Sequence, residues 1–292
     1  MLEEIDAYCK RAYDDGHRNH LGGSLIGHDC RRYLWYNFRW VLHTKFSGRM
    51  LRLFNRGHRE EDRFVEWLRG AGFTVWTHDE TKPKKADGTF PQFRIVGAKG
   101  HFGGSLDGIA LFPPGWGIDK PVLLEFKTNG TGAGFNKLVA NGMKLEKSQH
   151  FAQTCTYGAD ENYQFEWCLY MNINKNDDTI HVELVKLDWN QGKANKRKAE
   201  EIIESQTPPP RISENPTYYK CKTCDFHGVC HLNQAVEINC RSCKNAKPIE
   251  NGEWICTLPA HINNGPIPID VIKRGCNMHY TIAEEPGTHN VV

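Results

Sequence analysis

A mixed α/β fold, with helices flanking a central sheet and a small C-terminal metal-binding appendage, is predicted by three observations. Apolar residues recur at helical intervals in the first 70 positions. Strand-length runs divided by Gly, Pro and Asp follow over 73–128, and again, after a helix, over 145–189. Seven of the 11 cysteines crowd between positions 221 and 276.

The elements justify this in order. In LRLFNRGHREEDRFVEWLRGAG, Leu53, Phe54, Phe64, Val65, Trp67 and Leu68 mark a helical stripe, and Gly70 and Gly72 end it. FTVWT, FRIV, the Gly-rich HFGGSLDGIALF and PVLLEFKT read as strands and turns. KSQHFAQTCTYGA reads as a helix, and FEWCLYMNIN and TIHVELVKL as two strands joined by a polar turn from Asn174 to Asp178. A basic helix spans about 190–204, and TPPPRISENP breaks it. That breaker divides the chain into a core over 1–205, a cysteine segment over 206–232 and a tail over 233–292. The tail is too short and polar to bury a core of its own. Bound metal is the expected substitute, since structural zinc contributes roughly 10–16 kcal/mol of apparent folding free energy.

Composition narrows the function classes. With 292 residues, 39% hydrophobic and 25% charged, the chain reads as an ordinary soluble protein. No apolar run approaches a membrane span, and the charged start does not resemble an export signal, so a cytoplasmic protein without a membrane partner is expected. A net charge of +2 gives no bulk attraction to nucleic acid, so any such binding must use local patches. An odd number of cysteines without an export signal argues against a disulfide framework; clustered thiols in a reducing compartment argue for metal. Cys9, Cys155 and Cys168 read as buried hydrophobes.

The chemistry centres on LLEFKTNG. Alternate side chains of a strand share a face, so Glu125 and Lys127 point one way and Phe126 the other. Upstream, Asp107 lies in GGSLDGIA, where glycines allow a tight turn. On neighbouring strands, Asp107 and Glu125 could hold Mg²⁺ or Mn²⁺, hard cations that prefer oxygen. Such an ion would activate water and offset charge on a scissile phosphate, with Lys127 orienting that water or helping to deprotonate it. Taken singly, each residue better suits a surface ion pair or an ordinary turn.

Taken together they resemble the PD-(D/E)XK nuclease superfamily, and within it the RecB-like exonuclease branch. The resemblance implies a restriction-endonuclease-like core, a metal-binding Asp at Asp107, and Glu-x-Lys at Glu125 and Lys127. It further implies a metal-binding His on a preceding helix, matched by Gly57-His58 with Glu61 in support, and a Gln-x-x-x-Tyr helix, matched by Gln153 and Tyr157. His58 and Glu61 lie one turn apart on one helical face, as do Gln153 and Tyr157. Leu106 stands where the name-giving Pro would precede Asp107.

KCKTCDFHGVC carries Cys221, Cys224 and Cys230. In the iron–sulfur members of the branch, such as the CRISPR-associated RecB-like nuclease and the AddAB nuclease domain, a distant N-terminal cysteine completes the set. Cys30 is similar in position, so the resemblance implies a [4Fe–4S] cluster on Cys30, Cys221, Cys224 and Cys230, packing segment 206–232 onto the first helices. Cys240, Cys243, Cys256 and Cys276 then remain as a second set suited to tetrahedral zinc, with His279 able to replace Cys276 and His261 a weaker candidate. By spacing alone, Cys221, Cys224, Cys240 and Cys243 also make a good zinc pattern, and the two partitions stand side by side.

In RRYLWYNFRW, Arg31 and Arg32 are the candidates for DNA contact, while the aromatics are expected to pack against the core. The resemblance implies an exonuclease acting on DNA ends in recombination, end processing or CRISPR-type spacer processing, in a bacterial or phage-infected cell, beside a recombination or CRISPR-adaptation partner. An endonuclease on the same core, a non-cleaving DNA-binding scaffold and a redox sensor built on the iron–sulfur site are the alternatives.

Overall fold

The computed structural model describes residues 1–130, 132–261 and 265–282. In chain order the elements are α1 (Leu2–Tyr13), β1 (Leu21–Gly22), α2 (Arg31–Phe38), α3 (Gly48–Gly70), β2 (Thr74–Trp76), β3 (Arg94–Gly97), β4 (Phe102–Ser105), β5 (Gly108–Leu111) and β6 (Val122–Asn129). There follow α4 (Ala133–Asn141), α5 (Met143–Glu146), α6 (Ser148–Gly158), β7 (Trp167–Asn174), β8 (Ile180–Lys186), α7 (Trp189–Glu204), α8 (Tyr219–Lys222), α9 (His227–His231), β9 (Ala246–Pro248), β10 (Trp254–Cys256) and α10 (Ile269–Arg274). They gather into two compact units that interleave in sequence. Met1–Asp14, Phe46–Ile95 and Gly104–Lys196 form the first; Asp15–Lys45, Val96–Gly103 and the described residues from Arg197 onward form the second. Segments 206–232 and 233–292 thus both fall in the second unit, together with the helix that carries Arg31 and Arg32.

The first unit is built on a five-stranded mixed sheet in the order β2-β5-β6-β7-β8. Its one parallel pair is β6–β7, with Glu125 beside Tyr170 and Lys127 beside Asn172; β2–β5, β5–β6 and β7–β8 are antiparallel. A parallel pair needs a crossover, and α4, α5 and α6 supply it. Alternation along β6 sends Leu124 and Phe126 to one face, where Leu169, Met171 and Ile173 of β7 join them. The apolar stripe of α3 covers this face through Phe64, Val65 and Leu68, and Phe64 stacks on Phe126 with centroids 4.9 Å apart. Ser47 caps α3, its Oγ accepting from Met50 N at 3.3 Å.

Between β6 and α6 the chain forms α4 and α5 on either side of Gly142, whose φ of +80° breaks them apart. Near the N-terminus, helix gives way to irregular chain and the short β1, which pairs in parallel with β4 through Leu21 and Phe102.

In the second unit the tail's apolar side chains are buried in a core shared with an earlier part of the chain rather than in one of their own. Trp254, Ala246, Ile272 and Ile282 are all buried, as are Leu34, Trp35, Tyr36, Phe38 and Trp40 of the RRYLWYNFRW segment. Phe38 meets Trp254 at 5.3 Å, Glu237 N donates to Val41 O at 2.9 Å, and Asn239 Nδ2 donates to Trp40 O at 2.9 Å. The tail's few apolar side chains suffice because an early aromatic segment shares their core. Among the described residues no helix is long and apolar enough to cross a membrane.

Close packing of α6 on α7 is testable. A Cβ at Gly192 would fall 2.1 Å from Cys155 O and 2.6 Å from Ala159 Cβ, and backbone cannot step aside. Gly192→Ala should lose at least about 1–3 kcal/mol, seen as a fall of several degrees in Tm. Gly134→Ala, which meets nothing within 4 Å, should leave Tm unchanged or slightly raised.

Candidate active site and thiol clusters

Asp107 occupies the two-residue turn between β4 and β5. Gly108 makes the turn possible, since a Cβ there would lie 2.9 Å from Trp76 O and 3.1 Å from Leu124 Cδ1. The Asp107 carboxylate accepts a hydrogen bond from Phe126 N, Oδ2 to N 2.7 Å, which ties it to the middle of β6. Glu125 and Lys127 flank that amide on the face opposite the apolar core. Glu125 is fully buried; Lys127 Nζ bonds its Oε1, and Gln153 Nε2 of α6 donates to its Oε2 at 3.0 Å.

Charge and burial oppose one another here. Burial pushes the Glu125 carboxyl up to about 7, with Asp107 adding to the shift and Lys127 resisting it. Asp107 is likewise raised by burial against the pull of Lys127, the Phe126 amide and His58. Burial alone would lower Lys127, yet the carboxylates of Glu125 and Asp107 outweigh it and hold the ammonium charged. Glu61, on α3, belongs to the same cluster: burial, then the charges of Asp107 and Glu125, raise it to about 7 against Lys127. His58, one turn away, is exposed and bears on Asp107. Tyr157 takes a different position. A Cβ on Gly104 would come within 2.0 Å of its hydroxyl, so it packs on the strand that leads to Asp107.

The polar face extends beyond the residues expected. In the parallel register Tyr170 sits beside Glu125 and Asn172 beside Lys127. Asn172 Nδ2 donates to Tyr170 Oη at 3.0 Å, and His150 Nδ1 lies 3.0 Å from the same oxygen. Burial, with Lys127 and Lys147, lowers His150 to about 3, so its imidazole is neutral. The signal was present in FEWCLYMNIN: Tyr170 and Asn172 interrupt an apolar strand at alternate positions, which places both on the Glu125 face.

Three carboxylates face one committed ammonium, and this excess of buried negative charge together with an all-oxygen donor set fits a hard divalent cation. The thiols fall into two neighbourhoods. Cys30, Cys221, Cys224 and Cys230 line one pocket, together with Tyr33, Tyr36 and Phe226. Burial, then Cys230 and Cys30, raises Cys221; burial, the Phe226 backbone and Cys30 set Cys224 at about 11. Soft, clustered thiols in a common pocket fit an iron–sulfur cluster. Cys240 has Cys276, Cys243 and Cys256 around it, whereas His279 Nε2 lies 2.9 Å from Ser242 Oγ. Among the described residues no three His, Cys, Asp or Glu side chains are already spaced as a metal-binding group, so an ion in any of these sets would require its donors to move closer.

Arg31 and Arg32 are both engaged within the chain. Arg31 Nη2 pairs with Glu201 at 2.5 Å, and the buried Arg32 donates from Nε to Pro209 O at 2.6 Å. Cys9, Cys155 and Cys168 are buried.

No family model and no curated protein matches the chain. Among solved structures, the crystal structure of SSO0001 aligns with a TM-score of 0.46 at 16% identity, covering 80% of this chain and 97% of that one. The alkaline exonuclease LHK-Exo from Laribacter hongkongensis aligns with a TM-score of 0.38 at 16% identity, covering 69% of this chain and 90% of its own. Its complex with dAMP gives a TM-score of 0.36 at 15% identity with the same coverage.

The raised carboxyls make stability depend on pH and cation. Glu61 and Glu125 bind protons more tightly when folded, near 7 against an ordinary 4.5. Their contribution to stability is therefore full below about pH 4.5 and is lost as pH rises through about 7. EDTA-treated protein should lose Tm between pH 5 and 8, and Glu61→Gln should shallow that slope. Mn²⁺ should raise Tm at pH 8 and hardly at pH 5; equal shifts at both would exclude carboxylate binding of the ion.

Proposed function

We propose that the protein is a metal-dependent deoxyribonuclease acting exonucleolytically on DNA ends. The observation that carries the reading is the convergence of Asp107, Glu125, Glu61 and Lys127 on one polar face, with Asp107 pinned to the backbone between the other strand residues. The preference for an exonuclease comes from resemblance to the RecB-like branch through His58, Gln153 and Tyr157.

Asp107 and Glu125 would hold Mg²⁺ or Mn²⁺, with His58 beside them, and the ion when bound supplies Lewis-acid activation of water and charge neutralisation at phosphate. The remaining steps belong to the chain. Lys127 stays protonated, so it serves as a hydrogen-bond donor that orients a water or a phosphate oxygen rather than as a base. Glu61, titrating near neutrality, is the carboxylate suited to hold a proton released from water at its Oε atoms. Gln153 fixes the rotamer of Glu125. Arg31 and Arg32, both engaged internally, are assigned no DNA contact in this reading.

Cys30, Cys221, Cys224 and Cys230 would hold a [4Fe–4S] cluster, which supplies a cross-link between residues near the start of the second unit and α8 and α9. No redox step is needed for hydrolysis. The thiol segments are prepared by the chain itself: Lys198 Nζ donates to Ile26 O and His28 O at 2.8 Å, and Arg211 holds Cys230 O from Nη2 at 2.9 Å.

End-labelled linear DNA and a covalently closed circle, incubated with anaerobically purified protein, test the reading. Label should be released from the linear substrate with Mg²⁺ or Mn²⁺ and not with EDTA, and the circle should survive. Lys127→Ala should cut the rate about 10²–10³-fold with iron content unchanged. A folded, iron-loaded wild-type protein that binds Mn²⁺ yet releases no label would overturn the enzyme reading, and cleavage of the circle would make it an endonuclease.

A further inference from the structure

The second unit buries two guanidiniums for which the fold supplies no carboxylate. Arg39 and Arg241 are 0% and 1% exposed, and among the described residues no carboxylate pairs with either. Aromatic rings enclose them. Arg241 lies 4.6 Å from Phe38, 4.3 Å from Trp40 and 4.7 Å from Trp254, and Arg39 lies 5.1 Å from Trp254. Cation–π attraction and a few carbonyls offset part of the burial cost, yet among the described residues Nε of both and Nη2 of Arg241 have no partner. Charges buried in this way call for a counter-charge nearby.

The carbonyls that Arg39 holds show where that counter-charge can form. Its Nη2 donates to Cys243 O at 2.7 Å and its Nη1 to Ala246 O at 3.1 Å. Cys243 closes a turn with Cys240, N to O 3.0 Å, and its Sγ accepts from Tyr280 N at 3.4 Å. Cys240 N donates to Ile272 O at 2.9 Å, which brings the end of α10 and the following Cys276 alongside. Cys256 is opposite Ala246 in the β9–β10 hairpin. Three separate segments therefore deliver four thiols to the flank of the buried guanidinium pair. Four thiolates about one divalent ion leave two negative charges, which match two guanidiniums.

We propose that Cys240, Cys243, Cys256 and Cys276 bind Zn²⁺ as a tetrathiolate whose net negative charge is the counter-charge of Arg39 and Arg241. The site is structural and independent of nuclease activity: a closed four-thiolate shell leaves no open position for substrate. Metal occupancy and the packing of the tail on the aromatic segment are then one equilibrium. His279 is outside the shell, held by Ser242.

Zinc analysis and peptide-resolved alkylation of the full-length protein test this. The wild type should carry one zinc per chain in addition to its iron, and His279→Ala should retain it. Iodoacetamide should label Cys240, Cys243, Cys256 and Cys276 at least tenfold faster after zinc is stripped, and added Zn²⁺ alone should restore protection. Arg39→Met and Arg241→Met should each weaken zinc retention against a graded chelator by tenfold or more. Should either variant fail to fold, alkylation of the wild type decides the ligand set, and Arg39→Lys, which keeps the charge, should retain zinc where Arg39→Met loses it. Absence of zinc, equal labelling with and without it, or protection by added Zn²⁺ of Cys221 and Cys224 together with Cys240 and Cys243 while Cys256 and Cys276 stay reactive would overturn the ligand set. Unchanged zinc retention in folded Arg39→Met and Arg241→Met would overturn the counter-charge role.

Discussion

One hydrogen bond joins the candidate active site to the core of the first unit: Phe126 N to Asp107 Oδ2, 2.7 Å. The residue that donates it has its ring on the opposite side of the sheet, stacked on Phe64. A single position in β6 therefore anchors both the apolar layer and the carboxylate. Because side chains alternate, a one-residue slip of β6 would send Phe126 into the polar face and Glu125 into the core. The hydrophobic packing of α3 on Leu124 and Phe126 thus enforces the geometry of Asp107, Glu125 and Lys127 without touching any of their polar atoms.

The polar face itself works against stability. Glu61, Asp107 and Glu125 are crowded where burial weakens screening by water, and one lysine offsets only part of their charge. Functional sites concentrate this kind of perturbation, because groups tuned for chemistry are groups kept from their most stable state. Tyr170, Asn172 and His150 carry the polarity further along the face, and Asn172 Oδ1 is buried without a partner among the described residues. The second unit shows the same pattern in another chemical form, with cations rather than carboxylates buried in excess.

Much of the first unit was legible because its signals are local. Alternation in LLEFKTNG gives the two faces of β6, and the stripe in α3 gives the covering helix, so the sheet, its flanking helices and the Glu125–Lys127 pair follow from neighbouring residues. Glu61 was read only as a supporting residue; its place among the carboxylates depends on how α3 lies across β5 and β6, which spacing within the helix does not reveal. Tyr170 and Asn172 were visible as interruptions of an apolar strand but acquire meaning only from the parallel register with β6. The tail was hardest to read. Its burial depends on Trp254 meeting Phe38 across more than two hundred positions, and composition of the tail alone contains no trace of that partner.

The interleaving of the second unit has a consequence for how the chain comes into being. Phe38 and Trp40 are synthesised more than two hundred positions before Trp254 and Arg241, which pack on them. Throughout that interval a dense aromatic surface has no native cover. Synthesis therefore passes through a stage in which the nascent chain displays the kind of surface that chaperones recognise and that promotes association between neighbouring chains.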